Sequence, residues 1–165
     1  MISQKLSQAI NTQINREIYS AYLYLSMASY FDSTGLKGCA NWMKAQYQEE
    51  MVHAMKMYEY LYERGARVTM LPIEAPPSEW ASPLKAFEHT LEHEKKVTGL
   101  INALVAAAKV ESDDEASKFL EWFVREQVEE EESAGDKVTR FEAAWNDPVK
   151  IKEIDAELVK RKIHN

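Results

Sequence analysis

Four segments of this chain carry polar side chains on helical faces that are otherwise apolar. Residues three and four apart in sequence lie on one face of a helix, and such a face normally packs into a hydrophobic core. A buried carboxylate without a partner is strongly unfavourable, and no lysine or arginine occupies the neighbouring level of these faces. Carboxylates grouped with one imidazole suit iron or manganese, and two divalent cations would balance four negative charges, so the pattern predicts a binuclear metal site. The polar residues are Glu17, Glu50, His53, Glu94, Gln127 and Glu130.

The spacing of these residues indicates that they meet at one level of the fold. Glu17 and His53 each lie 18 residues from Gly35, so a hairpin that turns at this glycine brings them together. The second half of the chain repeats the pattern with an offset of 77 residues, from position 17 to 94, from 50 to 127 and from 53 to 130. The motif Glu-x-x-His is intact at positions 50–53 and becomes Gln-x-x-Glu at positions 127–130. A weak internal repeat of one helical hairpin therefore predicts a site between two hairpins.

Four long helices and one short helix are predicted to position this site. Five glycines and five prolines among 165 residues are few, which favours long helices. Helix ends follow from periodicity and from capping residues. The first helix ends at Ser33-Thr34-Gly35, the second ends at Arg64-Gly65, the third runs from Ser82-Pro83 to near Val110, the fourth opens with the capping box Ser112-x-x-Glu115 and ends near Trp145, and the last spans about Asp147 to Lys162.

The connection between the second and third helices indicates the topology. It extends from Gly65 to Ser82, and Pro72, Pro76 and Pro77 interrupt any regular element within it. Loops of this length are uncommon, and this one is long enough to return the chain along the whole bundle. The predicted fold is therefore all-α, a four-helix bundle with one long crossover plus a short C-terminal fifth helix, in a single domain that spans 1–165.

Composition and charge exclude several classes of function. Lys and Arg number 20 against 27 Asp and Glu, for a net charge of −7. This balance argues against binding to nucleic acid or to an anionic membrane surface. The single cysteine, Cys39, can form neither a disulfide framework nor a Cys-x-x-Cys site. Because the sequence also lacks a signal-like start and a long apolar span, we expect a cytoplasmic protein without a membrane partner.

Four sequence segments resemble the non-haem ferritins of bacteria and archaea. They are REIYSAYLY at 16–24, QEEMVHA at 48–54, EHE at 92–94 and EQVEEE at 126–131. The resemblance covers nearly the whole chain, and a set of spaced motifs on four helices is more specific than any one of them. It implies a ferritin-like bundle and a hollow 24-subunit shell. It also implies a ferroxidase that oxidises Fe(II) with dioxygen and stores the ferric mineral.

The same resemblance implies a role for each site residue. Glu50 would bridge two iron ions, and Gln127 would hydrogen-bond or ligate nearby. Tyr24 would lie next to the di-iron centre and supply an electron during oxygen reduction, although the position also suits a core tyrosine. The implied ligands are Glu17, Glu50 and His53 for one iron, Glu94 and Glu130 for the second, and Glu49, Glu126 and Glu129 for a third, looser iron site.

Other readings of the same residues remain open at this point. Bacterioferritins carry a second Glu-x-x-His, from which Gln127 departs, so no haem is expected although Met51 matches their haem-ligating methionine. A small di-iron or di-manganese oxidase or peroxidase would need the same centre without mineral storage. A non-enzymatic bundle would use the polar layer only to fix helix register. Four further polar residues are expected at the surface or on a solvated face: His89, His93, Glu131 and Glu132.

Overall fold

The fold is all-α in a computed structural model that describes residues 1–163. No strand occurs in this described range, which confirms the predicted four-helix bundle with a short fifth helix. None of the described helices is long and apolar enough to cross a membrane. The helices are α1 (Gln4–Thr34), α2 (Lys37–Glu63), α3 (Pro83–Val110), α4 (Asp114–Ala143) and α5 (Pro148–Leu158).

The first hairpin turns where the sequence places it. Gly35 caps α1 with a left-handed φ of 81°, a conformation that glycine adopts without a steric penalty. Its backbone N–H donates to the carbonyl of Asp32, and α2 begins two residues later. The turn lets α1 and α2 pack against each other along their length, and α3 and α4 form the second hairpin.

The crossover lies along α1 and is fixed by asparagine side chains. Asn11 Nδ2 donates to the carbonyl of Thr69 at 3.0 Å, and Asn15 Oδ1 accepts from the backbone N–H of Leu71 at 2.8 Å. Near its end, Ser26 Oγ donates to the carbonyl of Pro77 at 2.6 Å. The loop therefore does what its length predicts, since it carries the chain from the end of α2 to the start of α3.

Buried polar side chains divide the hydrophobic core into two clusters. We call these side chains the polar layer, and they are Glu17, Glu50, His53, Glu94, Gln127 and Glu130. One cluster contains Ile14 and Leu120, and the other contains Phe31 and Phe87. Along each of the four long helices, the polar positions fall between residues of the two clusters. The layer is thus enclosed by apolar packing above and below, which removes it from bulk water.

Two predicted helix ends differ from the structure. The N-cap of α4 is Asp113, whose carboxylate accepts from the N–H of Ala116 at 2.9 Å, rather than Ser112. Ser112 has a φ of 53° and closes the turn after α3, so the cap falls one residue later, where Asp113 also pairs with Arg64. The last helix is also shorter than predicted, because α5 ends at Leu158.

Helix α5 docks on the start of α2 through an unusually close backbone approach. Asp155 Oδ1 accepts from the backbone N–H of Cys39 at 2.7 Å, which supplies an acceptor at a helix start that lacks its own side-chain cap. A Cβ added to Gly38 would lie 1.6 Å from the carbonyl oxygen of Asp155. Only glycine allows the two helices to approach this closely.

We expect Gly38→Ala to destabilise the protein by on the order of 3 kcal/mol, because the clash is with backbone that cannot rotate away. Gly99→Ala is the matched control, since nothing lies within 4 Å of its added Cβ. On an exposed helical position this second change should stabilise by about 0.5–1 kcal/mol. Thermal unfolding of the two variants measures both effects, and equal melting temperatures would refute the close-packing explanation.

Candidate metal centre

The polar layer gathers the predicted ligands of the binuclear site in the middle of the bundle. Glu17 comes from α1, Glu50 and His53 from α2, Glu94 from α3 and Glu130 from α4. None of these side chains is more than 5% exposed. Each follows from the helical spacing that placed it on an apolar face.

Among the described residues, these five side chains and Glu126 form three groups whose ligand atoms lie within 4.8 Å of one another. Glu50 belongs to two of the groups, so its carboxylate lies between them. The arrangement can hold two cations side by side with one carboxylate in common. The groups are Glu17 with Glu50 and His53, Glu50 with Glu94 and Glu130, and His53 with Glu126 and Glu130.

Among the residues that the structure describes, two buried carboxylate oxygens have no hydrogen-bond partner, namely Glu17 Oε2 and Glu50 Oε1. Their sister oxygens are engaged, since Gln13 Nε2 donates to Glu17 Oε1 at 3.0 Å and His53 Nδ1 lies 3.1 Å from Glu50 Oε2. Buried polar atoms in native proteins nearly always have a partner. Two orphaned oxygens in one ligand group therefore fit a bound cation.

The electrostatics of the site favour bound protons when no cation is present. Burial, reinforced by the neighbouring Glu94, raises the pKa of Glu130 to about 8 and raises the pKa of Glu50 well above its usual range. Burial lowers the pKa of His53, but Glu50 and Glu126 outweigh it, and the net pKa lies well above the usual value. Like charges crowded out of water thus retain protons that a divalent cation can replace.

Tyr24 and Gln127 both hold the carboxylate of Glu94. The hydroxyl of Tyr24 donates to Glu94 Oε1, and Gln127 Nε2 donates to Glu94 Oε2 at 3.1 Å. Tyr24 is fully buried, and burial followed by the charge of Glu94 raises its pKa well above the usual value. The tyrosine belongs to the core and also contacts the predicted ligands, so the two readings of its position are compatible.

The three residues predicted to form a looser third site are placed differently from one another. Glu126 is buried, and its Oε1 lies 3.8 Å from His53 Nε2, at the edge of the binuclear groups. Glu49 is buried too, and its Oε2 accepts from Arg161 Nη2 at 2.6 Å. Glu129 is exposed and belongs to none of the ligand groups found among the described residues. The structure brings Glu126 to the centre and leaves Glu129 outside it.

The prediction that His89, His93 and Glu131 lie at the surface is wrong, because all three are partly buried. His93 is half-buried, its Nε2 lies 2.8 Å from Ser20 Oγ, and its ring packs edge-on against Tyr24. Burial lowers the pKa of His93 to about 4. His89 accepts from the indole of Trp80, and Glu131 accepts from Thr98 at 2.6 Å. Each contacts a neighbouring segment, which is another helix for His93 and Glu131 and the crossover for His89, and this contact reduces its exposure.

Several residues around the centre were not singled out by sequence reasoning. Gln13 and Gln46 are almost fully buried and each donates to a predicted ligand, Glu17 and Glu130 respectively. Gln46 lies three residues after Met43 and four before Glu50, so the helical spacing that identified the others contained it. Arg161 carried no such signal, because it lies outside every predicted helix face of the four-helix bundle.

Comparison with known proteins gives consistent matches over most of the chain. A family model described as a ferritin-like domain matches residues 7–144. A bacterial non-heme ferritin of Bacteroides fragilis is 45% identical over 161 residues, which cover 98% of this chain and 100% of the relative. A bacterial non-heme ferritin of Staphylococcus aureus is 37% identical over 131 residues, 79% of each chain.

Solved structures agree with these sequence matches. An open-pore ferritin from the hyperthermophilic archaeon Archaeoglobus fulgidus is 55% identical and superposes with a TM-score of 0.97, covering 98% of this chain and 100% of that one. A form of the same archaeal ferritin engineered to be closed is 54% identical, with a TM-score of 0.98 over 99% of this chain and 100% of that one. With its four-helix bundle and buried carboxylate layer, the chain belongs to the ferritin family.

Proposed function

We propose that this ferritin stores iron and that its buried centre is a ferroxidase, which oxidises Fe(II) with dioxygen. The observation that carries the proposal is the position of Glu50, whose carboxylate is common to two ligand groups and keeps one oxygen without a partner. A shared carboxylate places two metal ions side by side, as a reaction that takes one electron from each of two ions requires.

The proposed ligands divide the work between the two ions. Glu17 and His53 bind the first, Glu94 and Glu130 bind the second, and Glu50 lies between them. Bound iron supplies the electrons, one from each Fe(II), that reduce dioxygen. The carboxylates stabilise the higher charge of the ferric product better than that of the ferrous substrate, which favours oxidation.

The surrounding residues control orientation and protons. Gln127 and Tyr24 hold both oxygens of Glu94, so this carboxylate meets an arriving ion in a fixed orientation. Protons retained by Glu50 and Glu130 leave as the cations bind, which couples iron uptake to proton release. Tyr24 is also close enough to the ligands to supply an electron during oxygen reduction.

Storage needs a route from the centre and a container. Glu126, which shares a ligand group with His53 and Glu130, and the buried Glu49 would begin this route, and the exposed Glu129 would end it. Such a line of carboxylates guides ferric ions towards a mineral. We propose a cytoplasmic homo-oligomeric shell, a 24-mer as the ferritin resemblance implies, because the solved archaeal relatives are described as open-pore and closed ferritins.

The iron retained per chain after aerobic loading with excess Fe(II) tests storage directly. We expect retention far above the two ions that a binuclear site holds, with the iron co-eluting with protein in size-exclusion chromatography. The same particle should be much larger than a monomer of 19.0 kDa. Iron and protein are quantified in the same fractions.

A control loaded without dioxygen should retain only the ions bound at the ligand groups. Retention that levels off near two ions per chain under air would refute storage, and a search for a diffusing substrate of a di-iron oxidase would follow. An absence of any bound metal would refute the metal centre itself and leave a helical bundle whose polar layer fixes register.

A further inference from the structure

Arg161, which lies just beyond α5, reaches the buried carboxylate of Glu49 beside the polar layer. Arg161 Nη2 donates to Glu49 Oε2 at 2.6 Å and to Gln46 Oε1 at 2.5 Å, and its Nη1 donates to the carbonyl of Trp42 at 2.9 Å. The guanidinium also lies over the Trp42 ring, 4.2 Å from its centroid. Three hydrogen bonds and one aromatic contact hold this cation in a single place.

The pair is set apart from ordinary surface ion pairs by its burial. The side chains of Arg161 and Glu49 retain only 18% and 3% of their exposure. The turn that carries Arg161 is fixed in turn by Asn41, whose Nδ2 lies 3.1 Å from the carbonyls of both Leu158 and Arg161. Because solvent screens this pair weakly, the guanidinium is a strong local competitor for any cation that approaches Glu49.

One amide connects the arginine to the binuclear centre. Gln46 presents its oxygen to Arg161 and its nitrogen to Glu130, with Nε2 donating to Glu130 Oε2 at 2.9 Å. The arginine fixes which way this amide faces, since its carbonyl must accept from the guanidinium. Arg161 therefore orients a proposed iron ligand through one intervening side chain.

We propose that Arg161 occupies the cation position beside Glu49 until a third metal ion displaces it, and so sets how readily iron moves beyond the binuclear centre. The inference rests on the proposed ferroxidase centre, which supplies the first two ions. Arg161 already holds one oxygen of Glu49, and a divalent ion bound to the same carboxylate would lie close enough to the guanidinium for the like charges to repel each other, so binding of one disfavours the other. Arg161 is a positioning residue in this scheme, because it contacts neither of the first two ion sites.

Arg161→Gln should let a third divalent ion bind about tenfold more tightly than it binds to the wild-type protein. Loss of one charge-assisted hydrogen bond to a carboxylate accounts for an effect of this size. The probe is Zn(II), which does not change oxidation state, titrated into the metal-free assembled protein and followed by calorimetry. Anaerobic Fe(II) should give the same order of affinities.

Arg140→Gln is the matched control. Arg140 pairs with Glu157, so this change also removes an arginine contact to α5, but on the exposed side and away from the polar layer. Its third-ion affinity should equal that of the wild type. Arg161→Lys should bind the third ion with an affinity between those of the wild type and Arg161→Gln, because lysine keeps the positive charge but lacks the planar guanidinium. The double variant Glu49→Gln, Arg161→Gln should lose the increase in third-ion affinity that Arg161→Gln shows.

Equal third-ion affinity in Arg161→Gln and Arg140→Gln would overturn the proposal and leave Arg161 as a structural contact. Hydrogen exchange of the wild-type protein gives a second test that needs no variant. Backbone amides of residues 155–161 should exchange faster when the third equivalent of Zn(II) binds, and unchanged exchange at that point would also overturn it. Failure of the first two ions to bind to the wild-type protein would instead refute the ferroxidase centre, so the two failures are distinguishable.

Discussion

Glu50→Gln is expected to slow the oxidation of Fe(II) by about 100-fold or more, while the metal-free protein stays at least as stable as the wild type. Loss of a residue that only orients a metal ligand typically costs 10- to 100-fold. Glu50 is common to two of the three ligand groups, the one with Glu17 and the one with Glu94, so its loss weakens two ion sites at once. Initial rates of ferric absorbance after mixing with Fe(II) and air measure the first effect.

The metal-free stability expected for Glu50→Gln follows from the environment of the Glu50 carboxylate when no metal is bound. Glu50 is 1% exposed, its Oε1 has no partner, and burial and Glu94 raise its pKa. Glutamine has the same shape and no charge, so the substitution keeps the neutral state that burial already favours for Glu50 in the metal-free protein. Melting temperatures measured with and without Zn(II) should show that the variant loses the metal-induced increase and nothing else.

Glu59→Gln is the control for removal of one negative charge from α2. Glu59 is exposed and belongs to none of the ligand groups identified in the described part of the chain. Oxidation rates of the two variants that agree within threefold would contradict a shared bridging carboxylate. A collapse of metal-free stability in Glu50→Gln would contradict it in another way, because it would mean that the charge itself holds the helices in register.

The clustering of the buried polar residues could be predicted from the sequence because one periodicity governs them all. Glu17 and Glu94 lie on the apolar faces of helices whose ends are clear from the sequence. A turn at Gly35 fixes the level of Glu17 relative to His53. Once the helices pair as hairpins, no further choice of geometry remains for these side chains. The fold class follows from the same pattern together with the long crossover, whose length allows only a return along the bundle.

Other features depend on contacts that no periodicity encodes. Arg161 reaches Glu49 because Gly38 lets α5 approach α2 closely. The sequence shows the glycine, but it does not reveal that the backbone of Asp155 packs against it. Ser112 and Asp113 are both good capping residues, and the turn conformation chooses between them. In a run of four acidic residues, a small rotation of α4 decides that Glu129 faces solvent. The outer part of the site therefore needs the structure.

The metal-free protein is expected to lose stability as the pH rises from 6 to 8.5, by on the order of 10 °C in melting temperature. Burial raises the pKa of Glu130 from 4.5 to about 8, so the folded state retains a proton that the unfolded state releases above pH 4.5. Stability from this proton is complete below the unfolded value and is lost progressively up to about pH 8. The raised pKa of His53 acts in the same direction above its ordinary value of 6.5.

Bound cations should reverse this slope, because they replace the protons and bind best when the carboxylates are ionised. The melting temperature of the Zn(II)-loaded protein should therefore gain most over the metal-free protein at pH 8.5. Glu130→Gln is the control, since a glutamine cannot titrate and the variant should show a smaller loss of metal-free stability between pH 6 and 8.5. A metal-free melting temperature that is constant or rises between pH 6 and 8.5 would show that the layer is already ionised. The like charges of Glu50, Glu94 and Glu130 would then be balanced by something other than retained protons.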